Sequence, residues 1–262
     1  MTERMHATLP PAPEGRPDPD RHPEARHAGA QRSLTLMRES TTIAPRELDA
    51  RGIIRPDMRD RRQADVFRDL RTKLLALGRG RNFVTLVAPI SDGCGCATVA
   101  TNLAAAFAFD GSKSALLIDC NLREPRLHRH LGVEPVSGGL VELLEHSDVD
   151  VERIIYPTGI ARLRMIPAGE RRESGAEYFS SFRMRGLLDS LRGRYADRYI
   201  VIESAPVLSA PDARILAELV DLVVVVAGYG RNTVDAVQAA VANFDSSRLA
   251  GVVFDGVPPG VS

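Results

Sequence analysis

The sequence predicts a doubly wound α/β domain, in which a mostly parallel sheet has helices on both faces. Short, almost continuously apolar runs alternate with segments of helical spacing, as is typical of buried parallel strands and their crossovers. A glycine-containing turn also joins the first apolar run to an alanine-rich helix, in the strand, loop and helix order that presents backbone N–H groups to an anion. In such folds ligands bind at the carboxyl ends of the strands.

The individual elements are predicted from apolar spacing. Continuous apolar runs indicate strands buried on both faces, at residues 83–88, 114–119, 199–204, 221–227 and 249–255. Apolar residues at helical spacing indicate helices, at residues 63–77, 98–109, 183–192, 212–219 and 233–244. In the first of these helices Phe67, Leu70 and Leu74 share one face, and Gly78 supplies a stop.

Residues 1–62 differ in composition from the rest of the chain. Residues 1–45 are rich in proline and charge and have no apolar period, so they cannot bury enough surface to offset the entropy of ordering. We therefore predict a disordered tail at residues 1–45, a linker at residues 46–62 whose Arg-rich part around Arg55 to Arg62 is solvated, and one α/β domain at residues 63–262.

The bulk composition excludes several classes of protein. Lys and Arg number 34 and Asp and Glu also 34, so a net charge of zero gives no whole-chain argument for a nucleic-acid partner. No run of apolar residues is long enough to predict a membrane span. The amino terminus has no signal-peptide pattern, so the predicted location is the cytoplasm. The three cysteines fit a reducing compartment.

The turn after the first strand is built like a phosphate-binding loop without its lysine. In the pattern G-x-x-x-x-G-K-[ST], the lysine contacts the β- and γ-phosphates and the next hydroxyl binds Mg²⁺. Here Cys96 and Ala97 occupy those two positions, and Thr98 follows. Gly93 and Gly95 are either an anion-binding turn or simply turn glycines.

Acidic residues occupy the ends of three other predicted strands: Asp119, Glu203 and Asp255. If the chain is active, Asp119 and Glu203 are the candidate catalytic residues, and they join Thr98 as candidate Mg²⁺ ligands. An equally good explanation is that both carboxylates only accept hydrogen bonds from nearby loops, in a site that no longer catalyses a reaction.

The cysteines Cys94, Cys96 and Cys120 all fall near the predicted strand ends. They are either a thiol or metal cluster or small residues that fill the loops. The C-x-C spacing with one distant cysteine is not a zinc pattern, which favours the second interpretation.

Four segments together resemble the bacterial tyrosine kinase family, MinD-like P-loop proteins that work with polysaccharide co-polymerases in capsule and exopolysaccharide export. DVFRDLRTKLL is similar to the first helix of that family, usually E-x-x-R-x-x-R. SDGCGCATVATNLA is similar to its phosphate loop, and LLIDCNLREPRLHRHLGV to its second acidic motif, usually L-I-D-x-D-x-R-x-P. YIVIESAPVLSAPDARILAELVDLVVVVAG is similar to the third motif and the strand that follows it.

The resemblance implies an ATP–Mg²⁺ site, from which this chain departs at several positions. The family lysine is Cys96, the adjacent hydroxyl is Ala97, the second aspartate of the second motif is Asn121, and the third-motif aspartate is Glu203. Asp255 stands where the family usually has an asparagine, whose amide both donates a hydrogen bond to adenine and accepts one from it. A carboxylate at this position can only accept hydrogen bonds. Asp119 and Thr98 are unchanged.

Two functions follow from the resemblance. The first is a pseudokinase-like regulatory or scaffolding protein that docks on a membrane polysaccharide co-polymerase (Wzz-like), lies peripheral to the inner membrane through that partner, and has no nucleic-acid partner. The second is an active tyrosine autokinase or ATPase with an atypical loop. No cofactor is firmly predicted, and weak binding of ATP or ADP with Mg²⁺ stays open. Asp65, Arg68 and Arg71 fall at i, i+3 and i+6, so they share one face of the first helix, where they pair either within the helix or with a neighbouring subunit. The pattern alone favours a simple solvated charged face, whereas the resemblance implies a homo-oligomer or hetero-oligomer interface at these residues.

Overall fold

The strands of the sheet follow closely the apolar runs of the sequence. A computed structural model describes residues 42–58, 60–194 and 197–258. The strands in these ranges are β1 (Val84–Pro89), β2 (Ser114–Cys120), β3 (Tyr156–Pro157), β4 (Leu163–Ile166), β5 (Arg198–Ser204), β6 (Leu222–Gly228) and β7 (Leu249–Asp255).

Among the helices that the structure describes, two precede β1, and the others lie in the connections between the strands. In chain order they are α1 (Pro45–Ala50), α2 (Arg62–Leu77), α3 (Cys96–Ala108), α4 (Leu127–Leu131), α5 (Leu140–Glu145), α6 (Ala176–Phe179), α7 (Phe182–Arg194), α8 (Asp212–Ala217) and α9 (Val234–Val241). A 3-10 turn, Val151–Ile154, lies between α5 and β3. Among the described residues no helix is long and apolar enough to cross a membrane.

The sheet has the order β3-β4-β2-β5-β1-β6-β7 in the described part of the chain. Every pair is parallel except β3 with β4. The chain runs from β1 towards β4, then returns past β1 towards β7. Because crossovers between parallel strands are right-handed, the two directions place their helices on opposite faces. The predicted doubly wound α/β fold is confirmed.

The core lies between the central strands and α3. Strands β1, β2, β5 and β6 are buried at every residue, as their continuous apolar runs require. Phe83, Phe107 and Tyr199 form an aromatic cluster at the amino-terminal edge, with the Phe107 and Tyr199 rings stacked at a centroid distance of 4.4 Å. Helix α2 packs on α3, so the crossover that follows the glycine loop is covered on both sides.

The short elements between β2 and β5 are absent from the sequence prediction. Strands β3 and β4 and helices α4, α5 and α6 span two to six residues each. Segments of that length complete too few periods for apolar spacing to identify them.

The Arg-rich part of the predicted linker is mostly exposed at its described residues, but the linker at residues 46–62 is ordered and packs on the domain in its first part. It contains most of α1, and Ile53 and Ile54 are fully buried. The Ile54 N–H donates to Asn102 Oδ1 at 2.9 Å, and Asn102 Nδ2 donates to the Gly52 carbonyl at 2.9 Å. The prediction weighed the charged residues of this stretch and overlooked its two adjacent isoleucines. Residues 1–41 of the predicted tail lie outside the described residues.

Candidate functional site

The glycine loop lies between β1 and α3, at the carboxyl edge of the sheet. Gly93 and Gly95 have φ values of 73° and 75°, a left-handed conformation that residues with a side chain rarely adopt. Gly95 directly precedes Cys96, the first residue of α3. Ala97 and Thr98 follow in the first turn of this helix and are half-buried. The loop therefore has the strand, turn and helix form that the sequence predicts.

Asn232, in the turn after β6, fastens this loop to the sheet. Its Oδ1 accepts hydrogen bonds from the Cys94 thiol at 3.1 Å and from the Gly228 N–H at 2.8 Å. Its Nδ2 donates to Ser91 Oγ at 2.9 Å. Sequence reasoning missed Asn232, although its position just beyond the carboxyl end of a predicted strand was an available signal.

Cys96 presents an uncharged thiol where the family lysine would stand. The thiol is buried and donates to the Val87 carbonyl at 3.5 Å. Burial, and then the nearby carboxyl of Glu203, raises the pKa of Cys96 well above its usual value. The side chain therefore stays a neutral thiol and supplies no positive charge to this part of the loop.

Asp119 and Glu203 lie next to each other beneath the loop. They are register partners on β2 and β5, and Glu203 is also opposite Val87 of β1. Asp119 accepts the N–H groups of Asn121 at 3.0 Å and Leu127 at 3.2 Å, whereas Glu203 Oε2 is buried and has no hydrogen-bond partner among the residues that the structure describes.

Burial of these two carboxyls favours their neutral forms. Burial raises the pKa of Asp119 to about 7, against the opposing effect of its backbone hydrogen bonds. Burial, and then the charge of Asp119, raises the pKa of Glu203 well above its usual value. Two like charges without a cation between them disfavour simultaneous ionisation, so the pair holds a proton near neutral pH.

Asp255 and Arg231 contact the loop from the other side. A Cβ placed on Gly95 would come within 2.0 Å of Asp255 Oδ2, so the carboxylate lies directly on the glycine backbone. Arg231 NH1 donates to the Gly93 carbonyl at 3.0 Å. Burial raises the pKa of Asp255, which the charge of Arg231 partly opposes. Arg231 is the cation that sequence reasoning missed at this loop.

The structure brings together the predicted residues Gly93, Gly95, Cys96, Glu203 and Asp255, with Asp119 alongside, and the group is rich in carboxyls. Asn121, which the resemblance aligns with a family aspartate, uses its Oδ1 to accept the Glu124 N–H at 3.2 Å. No group of three or more His, Cys, Asp or Glu side chains within the described ranges is placed to hold a metal ion. Binding of ATP or Mg²⁺ at this loop stays a prediction.

The predicted interface residues lie on α2 and have partners within the chain. Arg68 NH1 is 2.8 Å from Asp65 Oδ1, and the guanidinium of Arg68 lies over the Phe109 ring at 5.5 Å. Arg71 NH1 donates to the Ala106 carbonyl of α3 at 3.2 Å. The structure thus shows these charged residues paired within the chain. Their pairing with a neighbouring subunit stays a prediction.

Comparison with known proteins gives a consistent set of relatives. The chain is 30% identical over 196 residues to the tyrosine-protein kinase wzc of Salmonella typhi, a match that covers 74% of this chain and 27% of that protein. It is 28% identical over 198 residues to the tyrosine-protein kinase YwqD of Bacillus subtilis, covering 74% of this chain and 81% of that protein. The matched region thus spans about a quarter of the first relative's length. No protein-family model matches the chain.

Solved structures agree with these relatives. The BceF tyrosine kinase domain superposes with a TM-score of 0.68 and 27% identity, covering 92% of this chain and 98% of that domain. The VpsO kinase domain superposes with a TM-score of 0.66 and 28% identity, covering 81% and 97%. Since the fold, the glycine loop and these relatives agree, the chain belongs to the bacterial tyrosine kinase family.

Proposed function

We propose that this chain is a catalytically inactive, regulatory member of the bacterial tyrosine kinase family, acting in exopolysaccharide biosynthesis and export. In this function it docks on the cytoplasmic face of a membrane polysaccharide co-polymerase, as a homo-oligomer or hetero-oligomer, and reaches the inner membrane only through that partner. The surface of α2 with Asp65, Arg68 and Arg71 is the proposed assembly surface.

The environment of Cys96 is the observation that carries this proposal. A phosphate-binding loop of this type neutralises the β- and γ-phosphates with a lysine ammonium. In this chain the equivalent position holds a buried thiol, with the carboxyl of Glu203 close by. Asp255 adds a further carboxylate against Gly95. Apart from the guanidinium of Arg231 at Gly93, the loop is therefore surrounded by carboxyl groups and an uncharged thiol where a triphosphate needs positive charge.

The magnitude of this loss supports inactivity. Hydrogen bonds to charged groups contribute about 1.5–3 kcal/mol each, and their loss counts for more where water is excluded. Phosphoryl transfer depends almost entirely on charge neutralisation and alignment, so removal of the lysine, the adjacent hydroxyl and the one carboxylate that Asn121 replaces lowers the rate by several factors of ten.

Equilibrium binding of ATP–Mg²⁺ to the purified chain tests the proposal. We expect a dissociation constant well above millimolar and no transfer of label from radiolabelled ATP to tyrosine. A repaired variant with Cys96→Lys, Ala97→Ser, Asn121→Asp, Glu203→Asp and Asp255→Asn should bind ATP more tightly than the natural chain. Labelling of its own tyrosines by the natural chain, abolished by Asp119→Asn, would overturn the proposal.

Arg231 favours a second candidate function, that of an active autokinase or ATPase. Its guanidinium contacts the glycine loop from within the same chain, where an arginine can neutralise phosphate charge. On this alternative, Arg231→Ala removes ATP binding by the natural chain, whereas Arg153→Ala, which changes an exposed arginine of the 3-10 turn, leaves it unchanged. If the natural chain shows no ATP binding to remove, the alternative fails.

A further inference from the structure

We propose that a cleft lined by Arg123, Arg126, Arg129 and Arg171 binds the dianionic phosphate group of a phosphate monoester. The cleft has a volume of about 240 Å³, and Glu124 and Pro125 complete its lining. None of the residues of the glycine loop lines it. The inference is independent of the proposed function, because it concerns a separate group of side chains.

The backbone that carries these arginines is held in place by buried contacts. Asp119 accepts the N–H groups of Asn121 and Leu127 at the two ends of the loop that follows β2. The Arg172 N–H donates to the Leu122 carbonyl at 2.9 Å, which fixes Arg171 beside this loop. Leu122 and Leu127 are fully buried and anchor the loop on the core. The arginines therefore converge before any ligand arrives, which reduces the entropic cost of binding.

Part of the positive charge in the cleft is not compensated. Arg126 forms an ion pair with Glu124, and Arg171 is 3.2 Å from Glu173 in a highly exposed pair of the kind that contributes little. Within the described part of the chain, Arg129 forms no ion pair, and Arg123 Nε is buried without an acceptor. Four guanidinium groups thus face one lining carboxylate, Glu124.

Asp212 is a buried carboxyl whose charge interacts with Arg123, so it offsets part of the charge of that one arginine. Within the described ranges Arg123 donates no hydrogen bond to it. The planar guanidinium group of Arg123 keeps donors available for an oxygen-rich anion. A guanidinium group binds phosphate through two parallel N–H···O hydrogen bonds. A cluster of arginines therefore recognises phosphate specifically, beyond simple attraction between opposite charges.

The size of the cleft limits the ligand. Pockets that enclose drug-sized molecules measure about 300–1,000 Å³, and this cleft is smaller. The cleft is therefore large enough for a phosphate group with a small organic substituent, but not for a whole nucleotide. That group belongs either to a free small phosphate monoester or to a phosphorylated side chain of a protein, and the chemistry of recognition is the same in both cases.

Calorimetric titration of the full chain with simple phosphate monoesters tests the inference. Phenyl phosphate represents a phosphorylated tyrosine side chain, glycerol 3-phosphate represents a free aliphatic monoester, and phenyl sulfate is the monoanionic control. We expect at least one phosphate probe to bind more tightly than phenyl sulfate, and the tighter of the two identifies the source. If neither phosphate probe binds more tightly than phenyl sulfate, the inference is wrong.

Matched variants locate the binding. Arg129→Ala with Arg171→Ala should weaken binding by about tenfold for each arginine, whereas Arg46→Ala with Arg153→Ala, which removes two exposed arginines elsewhere, should leave it unchanged. Glu124→Gln should strengthen binding, because it frees Arg126 from its ion pair. Equal loss in both double variants, or loss in Arg231→Ala but not in Arg129→Ala with Arg171→Ala, would assign the phosphate to another surface and overturn the inference.

Discussion

Asp119 and Glu203 are register partners on neighbouring parallel strands, and both are buried. Parallel strands place register partners side by side on the same face of the sheet. Two buried carboxyls in this position resist ionisation together, and the structure supplies no lysine between them, since Cys96 stands above them. The pair is consequently a source of pH-dependent stability in the folded chain.

The free energy of unfolding should fall as the pH rises from about 4 to 8 through the contribution of this pair. In the unfolded chain both carboxyls lose their protons near pH 4. In the folded chain their pKa values are raised, that of Asp119 to about 7, so the folded state binds more protons across this window. Stability falls with pH wherever the folded state binds more protons.

Glu203→Gln should remove much of that fall. We expect the variant to gain more unfolding free energy at pH 8 than at pH 5, because burial raises the pKa of Glu203 and the cost of its ionisation grows with pH. Urea denaturation across the pH range measures this difference. Glu134→Gln, at an exposed glutamate, is the control and should follow the natural chain. A parallel shift of the Glu203→Gln curve at every pH would contradict the prediction.

Gly95→Ala should destabilise the chain through two separate effects. The left-handed backbone at φ 75° costs a residue with a side chain about 1–2 kcal/mol, and the new Cβ would collide with the Asp255 carboxylate. The double variant with Asp255→Ala keeps the backbone cost but removes the collision. Thermal unfolding should therefore show a smaller loss from Gly95→Ala in the Asp255→Ala background than in the natural chain. Equal losses in both backgrounds would show that Asp255 does not pack on Gly95.

The fold could be predicted from the sequence because its signals are local and repeated. Strands β1, β2, β5, β6 and β7 are apolar runs whose ends agree closely with the structure, and the helices between them are long enough to show their period. Their order along the chain, with right-handed crossovers, then leaves few topologies. Strands β3 and β4 carry no such signal, because β4 is only four residues long and contains Arg164.

The site was predicted only in part, because its side-chain contacts depend on tertiary structure. The rule that ligands lie at the carboxyl ends of strands identified Asp119, Glu203 and Asp255 together. It could not reveal that Asp255 lies on Gly95, which depends on the distance between β7 and the loop. Arg231 and Asn232 lie just beyond the end of β6 in a turn without a motif, so the sequence indicated their position near a strand end but not their contacts with the loop.

Asn102→Ala should uncouple the segment before α2 from the core. The side chain of Asn102 satisfies the Ile54 N–H and the Gly52 carbonyl, and an unsatisfied buried polar group costs about 1–3 kcal/mol. We expect a loss of that order for each group in urea denaturation, with faster amide exchange at Ile54. Asn243→Ala, whose side chain bonds only within its own helix region, is the control. Unchanged exchange at Ile54 would contradict the role of Asn102.

Arg68→Ala with Arg71→Ala should reduce the assembly state of the chain if the surface of α2 is an interface. Arg68 forms an exposed i,i+3 ion pair with Asp65, and such pairs add little to stability. The Arg68 guanidinium can therefore exchange this partner for a carboxylate of a neighbouring subunit. Arg71 also bonds the Ala106 carbonyl, so its loss is checked by thermal unfolding at the same time. Size-exclusion chromatography with light scattering measures the mass, and Lys73→Ala, at an exposed position of the same helix, is the control. A folded double variant with an unchanged mass would remove the interface proposal, whereas a smaller mass confined to that variant would support it.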